Sequence, residues 1–148
     1  MPEFKPMRYL SNPRVAGGLL ALLAVLVYLP IVANDFVFDD IPAIVQNPVV
    51  SGDAPWTEAF TQSFWGKRLG FEHVTTWRPL TTLGFWANAA LFGLEPAAFH
   101  WINLLMHALV TVLVFVLIGR WFGQHDVACL GAGLFAVSGC ETAATNGQ

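Results

Sequence analysis

Three apolar runs divide the chain, and the two longest predict helices that cross a membrane. The first covers residues 15–33, which are 19 residues without a charge, and as a helix it spans about 28 Å, close to the hydrocarbon thickness. We interpret it as a retained helix rather than a cleaved signal peptide, whose apolar core is usually about 7–15 residues long. Pro30 near its exit is expected to kink or end it. The second span is predicted over residues 96–119, where Glu95 and Pro96 suit the start of a helix.

The third apolar run begins near Val127 and predicts a helix over residues 127–145. Only about 14 of its residues are clearly apolar, which is short for a span. It is either a third span that the chain end cuts short or a small-residue helix packed against the others. The predicted fold class is therefore an all-α membrane protein with about three transmembrane helices.

Basic residues at the ends of the spans predict the orientation. Lys5, Arg8 and Arg14 lie before the first span, and Arg120 follows the second. Two spans place these residues on one side, which the positive-inside rule makes cytoplasmic. Residues 1–14 then form a cytoplasmic tail, and residues 34–95 form a long external loop.

The external loop contains two segments with helical periodicity. Trp56, Phe60 and Phe64 recur every four residues and predict one amphipathic helix within residues 53–66. A second is predicted within residues 78–93, with an apolar face made by Leu83, Trp86, Ala87, Ala90 and Leu91. About 12 helical residues cover about 18 Å, too little to span, so we expect both helices in the membrane interface. They form either an ordinary amphipathic cover or a floor that holds a lipid-linked substrate.

Composition supports the membrane interpretation and excludes several other classes. Hydrophobic residues make up 55% of the chain and charged residues 11%, whereas soluble domains carry about 25% charged residues. A net charge of −3 argues against a nucleic-acid partner, which needs a basic surface. Cys129 and Cys140 have no partners at ligand spacing, so we expect apolar packing residues rather than a disulfide or a zinc site.

Asp39 and Asp40 are the sharpest local signal for chemistry. The pair follows the first span directly and lies between Phe38 and Ile41. Mutual repulsion and partial desolvation would favour one basic, poised carboxylate. The alternative is structural, since an aspartate before Ile41 and Pro42 also suits a helix N-cap.

Arg78 is the candidate phosphate contact on the same external side. Its guanidinium can bind a phosphate in a bidentate manner, and Pro79 directly after it should fix its direction. Lys67 and Arg68 extend the basic cluster, although for these two we favour contacts with anionic lipid headgroups.

Three further polar residues are candidates for substrate binding. His100 and His107 share one face of the second span with Asn103, and polar groups in a span usually face the protein interior or a water-filled cavity. Hydrogen bonds between helices are the alternative role for both histidines. Glu141 returns to the external side on this topology, or is simply a solvated helix end.

The sequence resembles a known family in three stretches. These are FVFDDIPAIVQNP, SFWG and WRPLTTLGFWANAALFGLEPAAFHWINLLMHALVTVLVF. They are similar to the N-terminal part of the transmembrane O-mannosyltransferases that carry tetratricopeptide repeats, which resemble protein O-mannosyltransferases and share the GT-C fold. The family usually continues with a His-Pro-x-x-x-Glu segment. Here Glu141 fits the last position, but the His and the Pro are absent.

The resemblance implies transfer of a mannose-like sugar from a polyprenyl-phosphate lipid to a protein or glycan acceptor. Asp39 would be the base, Asp40 would orient it, and Arg78 would stabilise the departing phosphate. The sequence identifies no certain cofactor, and a divalent metal ion shared by the carboxylates and the phosphate is an alternative that the ligand spacing does not support. We expect an inner (plasma) membrane protein of a bacterium, active on the periplasmic or extracellular face, and a fragment that is inactive alone. The alternative function is a non-catalytic membrane anchor or scaffold for downstream repeats.

Overall fold

The computed structural model describes residues 12–66 and 76–138, which form helices, turns and loops without a β-strand. The α-helices are α1 (Pro13–Tyr28), α2 (Pro79–Phe92), α3 (Pro96–Phe122) and α4 (His125–Val137). Shorter segments are the 3-10 turns Leu29–Ala33 and Trp56–Phe60 and the π-helical turn Ile41–Val45. The described residues form two units. The helical unit contains those up to Ile31 and from Trp101 onward, and the loop unit is Val32–His100.

Two helices have the length and composition of membrane spans. Pro13–Ala33 contains 21 residues with a mean hydropathy of 2.5, and Pro96–Phe122 contains 27 residues with a mean hydropathy of 2.4. Their apolar surfaces indicate membrane association. As expected from Pro30, the first helix gives up α geometry after Tyr28 and continues as a 3-10 turn, because proline cannot donate the next helical hydrogen bond.

The predicted third span is a 13-residue apolar helix in the described part of the chain, α4. The rest of the predicted range 127–145 lies outside the described residues, apart from Ser138. The all-helical class is thus confirmed, whereas a count of three spans stays a prediction. Helix α3 runs three residues past the predicted end and stops at Gly123, whose φ of +64° favours glycine.

Small residues allow α4 to pack closely within the helical unit. Alanines at four-residue spacing in α4 are fully buried: Ala128, Ala132 and Ala136. Cβ atoms this small let helix backbones approach one another. The space beside Gly131 is smaller still, since a Cβ there would lie 2.6 Å from Cδ1 of Ile118. This arrangement is the packed small-residue helix that the sequence allowed as one interpretation of the third run.

The loop unit has its own core, in which aromatic rings dominate. Its buried members are Ala43, Ile44, Val50, Phe64 and Phe99, with Phe36, Trp65, Phe85 and Ala89 packed against them. The helix predicted within residues 53–66 is wrong, because helical geometry is confined to the 3-10 turn Trp56–Phe60. The backbone of Phe64 instead makes two long-range hydrogen bonds. Its carbonyl accepts one from the Asn47 side chain, and its amide donates one to the Thr76 carbonyl.

The second predicted loop helix is present as α2, but its buried face differs from the predicted one. Ala90 and Leu91 are exposed, whereas Thr82 and Asn88 are buried and Phe85 joins the aromatic core. The helix is apolar on nearly every side, so hydrophobic periodicity alone does not select the side that packs.

Candidate functional site

The acidic pair lies on a tight turn whose backbone holds the two carboxylates differently. The Asp40 amide donates to the Val37 carbonyl at 2.9 Å, and the Asp40 carboxylate accepts from the Val37 amide at 3.2 Å. Phe38, inside this turn, has a φ of +43°, a conformation that non-glycine residues rarely adopt. The Asp39 side chain is exposed and makes no hydrogen bond to the described residues.

The two aspartates therefore differ in availability. Asp40 stands at the N-cap position of the turn Ile41–Val45, but its side chain makes no capping bond there and closes the preceding turn instead. The desolvation expected of the pair does not apply to Asp39, because its side chain is exposed. Asp39 thus has its lone pairs free for an external partner.

Packing on both sides fixes this turn to the loop-unit core. Phe36 precedes it and packs edge-on against Phe99, with ring centroids 5.3 Å apart. Ala43 and Ile44 follow it and are each 3% exposed. Asp39 is consequently exposed, and Asp40 half-buried, on a turn whose flanking residues are anchored.

Arg78 is held by its backbone and by an aromatic ring. Its carbonyl accepts from both the amide and the hydroxyl of Thr82, at 3.1 and 3.2 Å, which starts α2. Its guanidinium carbon lies 5.3 Å from the centroid of the Phe64 ring, a cation–π distance. The residue is exposed, so its N–H donors remain accessible to an anion.

The chain around Arg78 is tied back to the residues that precede the undescribed part of the loop. Trp77 donates its indole N–H to the Phe60 carbonyl at 3.0 Å, and the Trp65 indole donates to the Thr76 hydroxyl at 3.3 Å. These two bonds hold the backbone directly before Arg78, and the two Thr82 bonds to the Arg78 carbonyl hold it at the start of α2.

Asn47 and Gly66 are structural residues of this site that sequence reasoning did not single out. Asn47 is 1% exposed, donates to the Phe64 carbonyl and accepts from the Val49 amide, each at 3.0 Å. Gly66 has a φ of +69°, and a Cβ there would lie 3.2 Å from Cδ of Pro48. The sequence offered one signal for these two residues, an Asn-Pro dipeptide followed later by Phe-Trp-Gly. The first supplies a compact polar side chain, and the second supplies a glycine turn.

An aromatic chain connects the anchors of both candidate groups. Ring centroids are 6.1 Å apart between Phe64 and Phe85, 5.9 Å between Phe85 and Phe99, and 5.3 Å between Phe99 and Phe36. One end of this chain carries Arg78, and the other precedes the acidic pair. Arg78 makes no ion pair with a carboxylate of the described residues, so the predicted pairing of acids and guanidinium is not a direct contact here.

Two further predicted site residues are histidines, and they lie in different units. His100 belongs to the loop unit and lies near Phe36, with ring centroids 6.4 Å apart. Its Nε2 is buried without a hydrogen-bond partner among the described residues. His107 belongs to the helical unit, where Nε2 lies 3.2 Å from the Ala136 carbonyl oxygen. This is the hydrogen bond between helices given as its alternative role, and a substrate contact by His107 stays a prediction.

Glu141, Lys67, Arg68 and Cys140 lie outside the described residues, so their predicted roles have no structural account. Within residues 12–66 and 76–138, no group of three or more metal-ligating side chains occurs. A metal ion at the acidic pair would need ligands beyond Asp39 and Asp40.

Sequence comparison identifies relatives over most of the chain. It is 39% identical over 140 residues to human "Protein O-mannosyl-transferase TMTC1", covering 91% of this chain and 16% of that protein. It is 40% identical over 129 residues to "Protein O-mannosyl-transferase Tmtc2" of Drosophila melanogaster, covering 84% and 14%. The corresponding figures for "Protein O-mannosyl-transferase F38B6.6" of Caenorhabditis elegans are 34% over 131 residues, 85% and 19%.

These relatives are animal proteins, and the chain spans less than a fifth of the length of each. The expected bacterial membrane therefore stays a prediction. No family model matches the sequence, and no solved structure matches it. The identities nevertheless extend over both units and confirm the family resemblance. Over most of its length, this chain is a homologue of the protein O-mannosyl-transferases of the TMTC family.

Proposed function

We propose that this chain is part of a membrane glycosyltransferase that moves a mannose-like sugar from a polyprenyl-phosphate donor to a protein or glycan acceptor. The observation that carries the proposal is the combination of O-mannosyl-transferase relatives with a solvent-facing acidic turn and an accessible arginine in one compact unit. The GT-C fold and activity on the external face of the membrane are parts of the same proposal.

Asp39 is the general base in this proposal. Its carboxylate takes the proton from an acceptor hydroxyl while that oxygen bonds to the anomeric carbon of the sugar. The bond between this carbon and the phosphate oxygen breaks, and its electron pair leaves with the polyprenyl phosphate. The leaving group is already a stable anion, so one working carboxylate suffices, whereas glycoside hydrolysis uses two.

Asp40 and Arg78 support this reaction in different ways. Asp40 is committed to the Val37 amide, so we assign it the role of holding the turn that presents Asp39. Arg78 offers several N–H donors on a side chain whose direction is set by the Phe64 ring, which suits a developing phosphate dianion. His100, with its unpartnered Nε2, is a candidate for a further phosphate or sugar hydroxyl contact.

Substitution of Asp39 tests the proposal directly. Membranes from cells that express the full open reading frame containing this chain would be assayed for transfer of labelled mannose from a mannosyl polyprenyl phosphate. Asp39→Asn should lower the rate at least about a hundredfold, as loss of a general base usually does. Asp35→Asn is the matched control, because Asp35 is also an exposed carboxylate in this segment and should retain activity.

The same assay separates the proposal from the alternative of an anchor or scaffold. Wild-type protein without any transfer activity would favour the scaffold. Transfer at the wild-type rate by Asp39→Asn, in membranes that contain equal amounts of protein, would remove the assignment of Asp39 as base.

A further inference from the structure

The helical unit contains a groove on the surface shared by the start of α1 and the end of α3. Its smaller part has a volume of about 300 Å³ and its larger part about 430 Å³, and Pro13, Phe115 and Val116 line both. The groove lies well away in sequence from Asp39 and Arg78, and the proposed sugar transfer makes no use of it.

One end of the groove is cationic. Arg120 lines the smaller part and Arg14 lines the larger part, and both side chains are exposed. His125 also lines the smaller part, and its Nε2 is buried without a hydrogen-bond partner among the described residues. Asp126 in the first turn of α4 is the opposing charge that the structure describes near this end, so the described side chains leave a net positive charge there.

The start of α4 adds hydrogen-bond donors at the same end. Gln124 occupies the N-cap position but makes no capping bond with its side chain, so the first amide groups of α4 are not satisfied by it. Such amides and the helix dipole favour an anion. This end of the groove therefore combines two arginines, an imidazole nitrogen without a described partner and uncapped amides. Such a set of donors suits a phosphate.

The rest of the groove is apolar and open. Gly17 and Gly18 leave its floor without side chains, and Val112, Phe115 and Val116 form its wall. A Cβ at Gly18 would meet nothing within 4 Å, so the space above it is not filled by the described residues. This shape is suited to a hydrocarbon chain lying along the helices.

We propose that this groove binds one anionic phospholipid, with an acyl chain over Gly17 and Gly18 and the phosphate between Arg14 and Arg120. Charge complementarity decides the occupant. A phospholipid supplies a hydrocarbon chain for the apolar part and an anion for the two arginines, whereas a further apolar helix would match the apolar part alone. The site is distinct from any donor site at Asp39 and Arg78.

Native mass spectrometry of the full chain in mild detergent tests this proposal. The protein would be titrated with phosphatidylglycerol and with phosphatidylcholine of identical acyl chains. The wild type should retain one phosphatidylglycerol and prefer it by about tenfold or more. Joint replacement of Arg14→Gln and Arg120→Gln should weaken phosphatidylglycerol binding by roughly thirtyfold, as expected for the loss of two cations near a lipid surface, and remove the preference.

Gly18→Leu tests the acyl-chain part separately, because a leucine there fills the groove without meeting the protein. Binding of both lipids should fall at least about tenfold. Gly84→Leu is the matched control, since Gly84 is also an exposed helical glycine with nothing within 4 Å of its Cβ, and both lipids should bind as to the wild type. A double arginine variant that keeps the headgroup preference, or a Gly18→Leu variant with unchanged lipid binding, would overturn the proposal.

Discussion

Replacing Asn47 with alanine should destabilise the loop unit. The side chain is 1% exposed and satisfies two backbone groups, the Phe64 carbonyl and the Val49 amide. Each buried group left unsatisfied costs about 1–3 kcal/mol, so Asn47→Ala, which leaves two of them, should lower the free energy of unfolding of this unit by about 2–6 kcal/mol. A loss of about 3 kcal/mol raises the population of the open form more than a hundredfold.

Proteolysis of the full chain in mild detergent at increasing urea concentration measures this change, because cleavage tracks the population of the opened form. Gln46→Met is the matched control in the neighbouring position. The Gln46 Oε1 atom is buried without a partner, so its replacement by an apolar side chain of similar length should leave stability unchanged or raise it. A loss of less than about 1 kcal/mol in the free energy of unfolding for Asn47→Ala, or an equal loss for Gln46→Met, would show that the two Asn47 hydrogen bonds do not stabilise the loop unit.

Three further substitutions probe other contacts by the same proteolysis. Gly66→Ala should destabilise the loop unit by about 1–2 kcal/mol through its positive φ and its 3.2 Å approach to Pro48, a strain that left-handed backbone imposes on residues with a Cβ. An unchanged urea midpoint would refute it. Ala132→Leu should cost about 1–3 kcal/mol by overpacking a fully buried position of α4, whereas Leu134→Ala, at an exposed position, should cost little. His107→Leu should cost about 0.6–1.5 kcal/mol by removing the bond to the Ala136 carbonyl, and a variant as stable as wild type would contradict that assignment.

The sequence predicted most of the helices because long apolar runs have few alternatives in a membrane. Residues 15–33 and 96–119 were long enough to span, and the structure has helices there. A role for Arg78 in binding a phosphate stays a prediction, which rests on its guanidinium and on the backbone restriction by the proline directly after it. The prediction of a helix within residues 53–66 was wrong. The spacing of Trp56, Phe60 and Phe64 indicates only which side chains could share a face, whereas hydrogen bonds to distant residues decide whether the backbone is helical.

The sequence alone determined the membrane character of this chain, its helical class and the presence of two neighbouring carboxylates after the first span. These follow from local composition and from the length that a hydrocarbon layer requires. Only the tertiary structure decided that Asp40 closes a turn while Asp39 faces solvent, and that Phe64 lies under Arg78. The contact of Phe64 with Arg78 joins residues far apart in the chain, which no local pattern contains. The Asp40 turn is local, but it depends on a positive φ at Phe38 that the residue types do not predict.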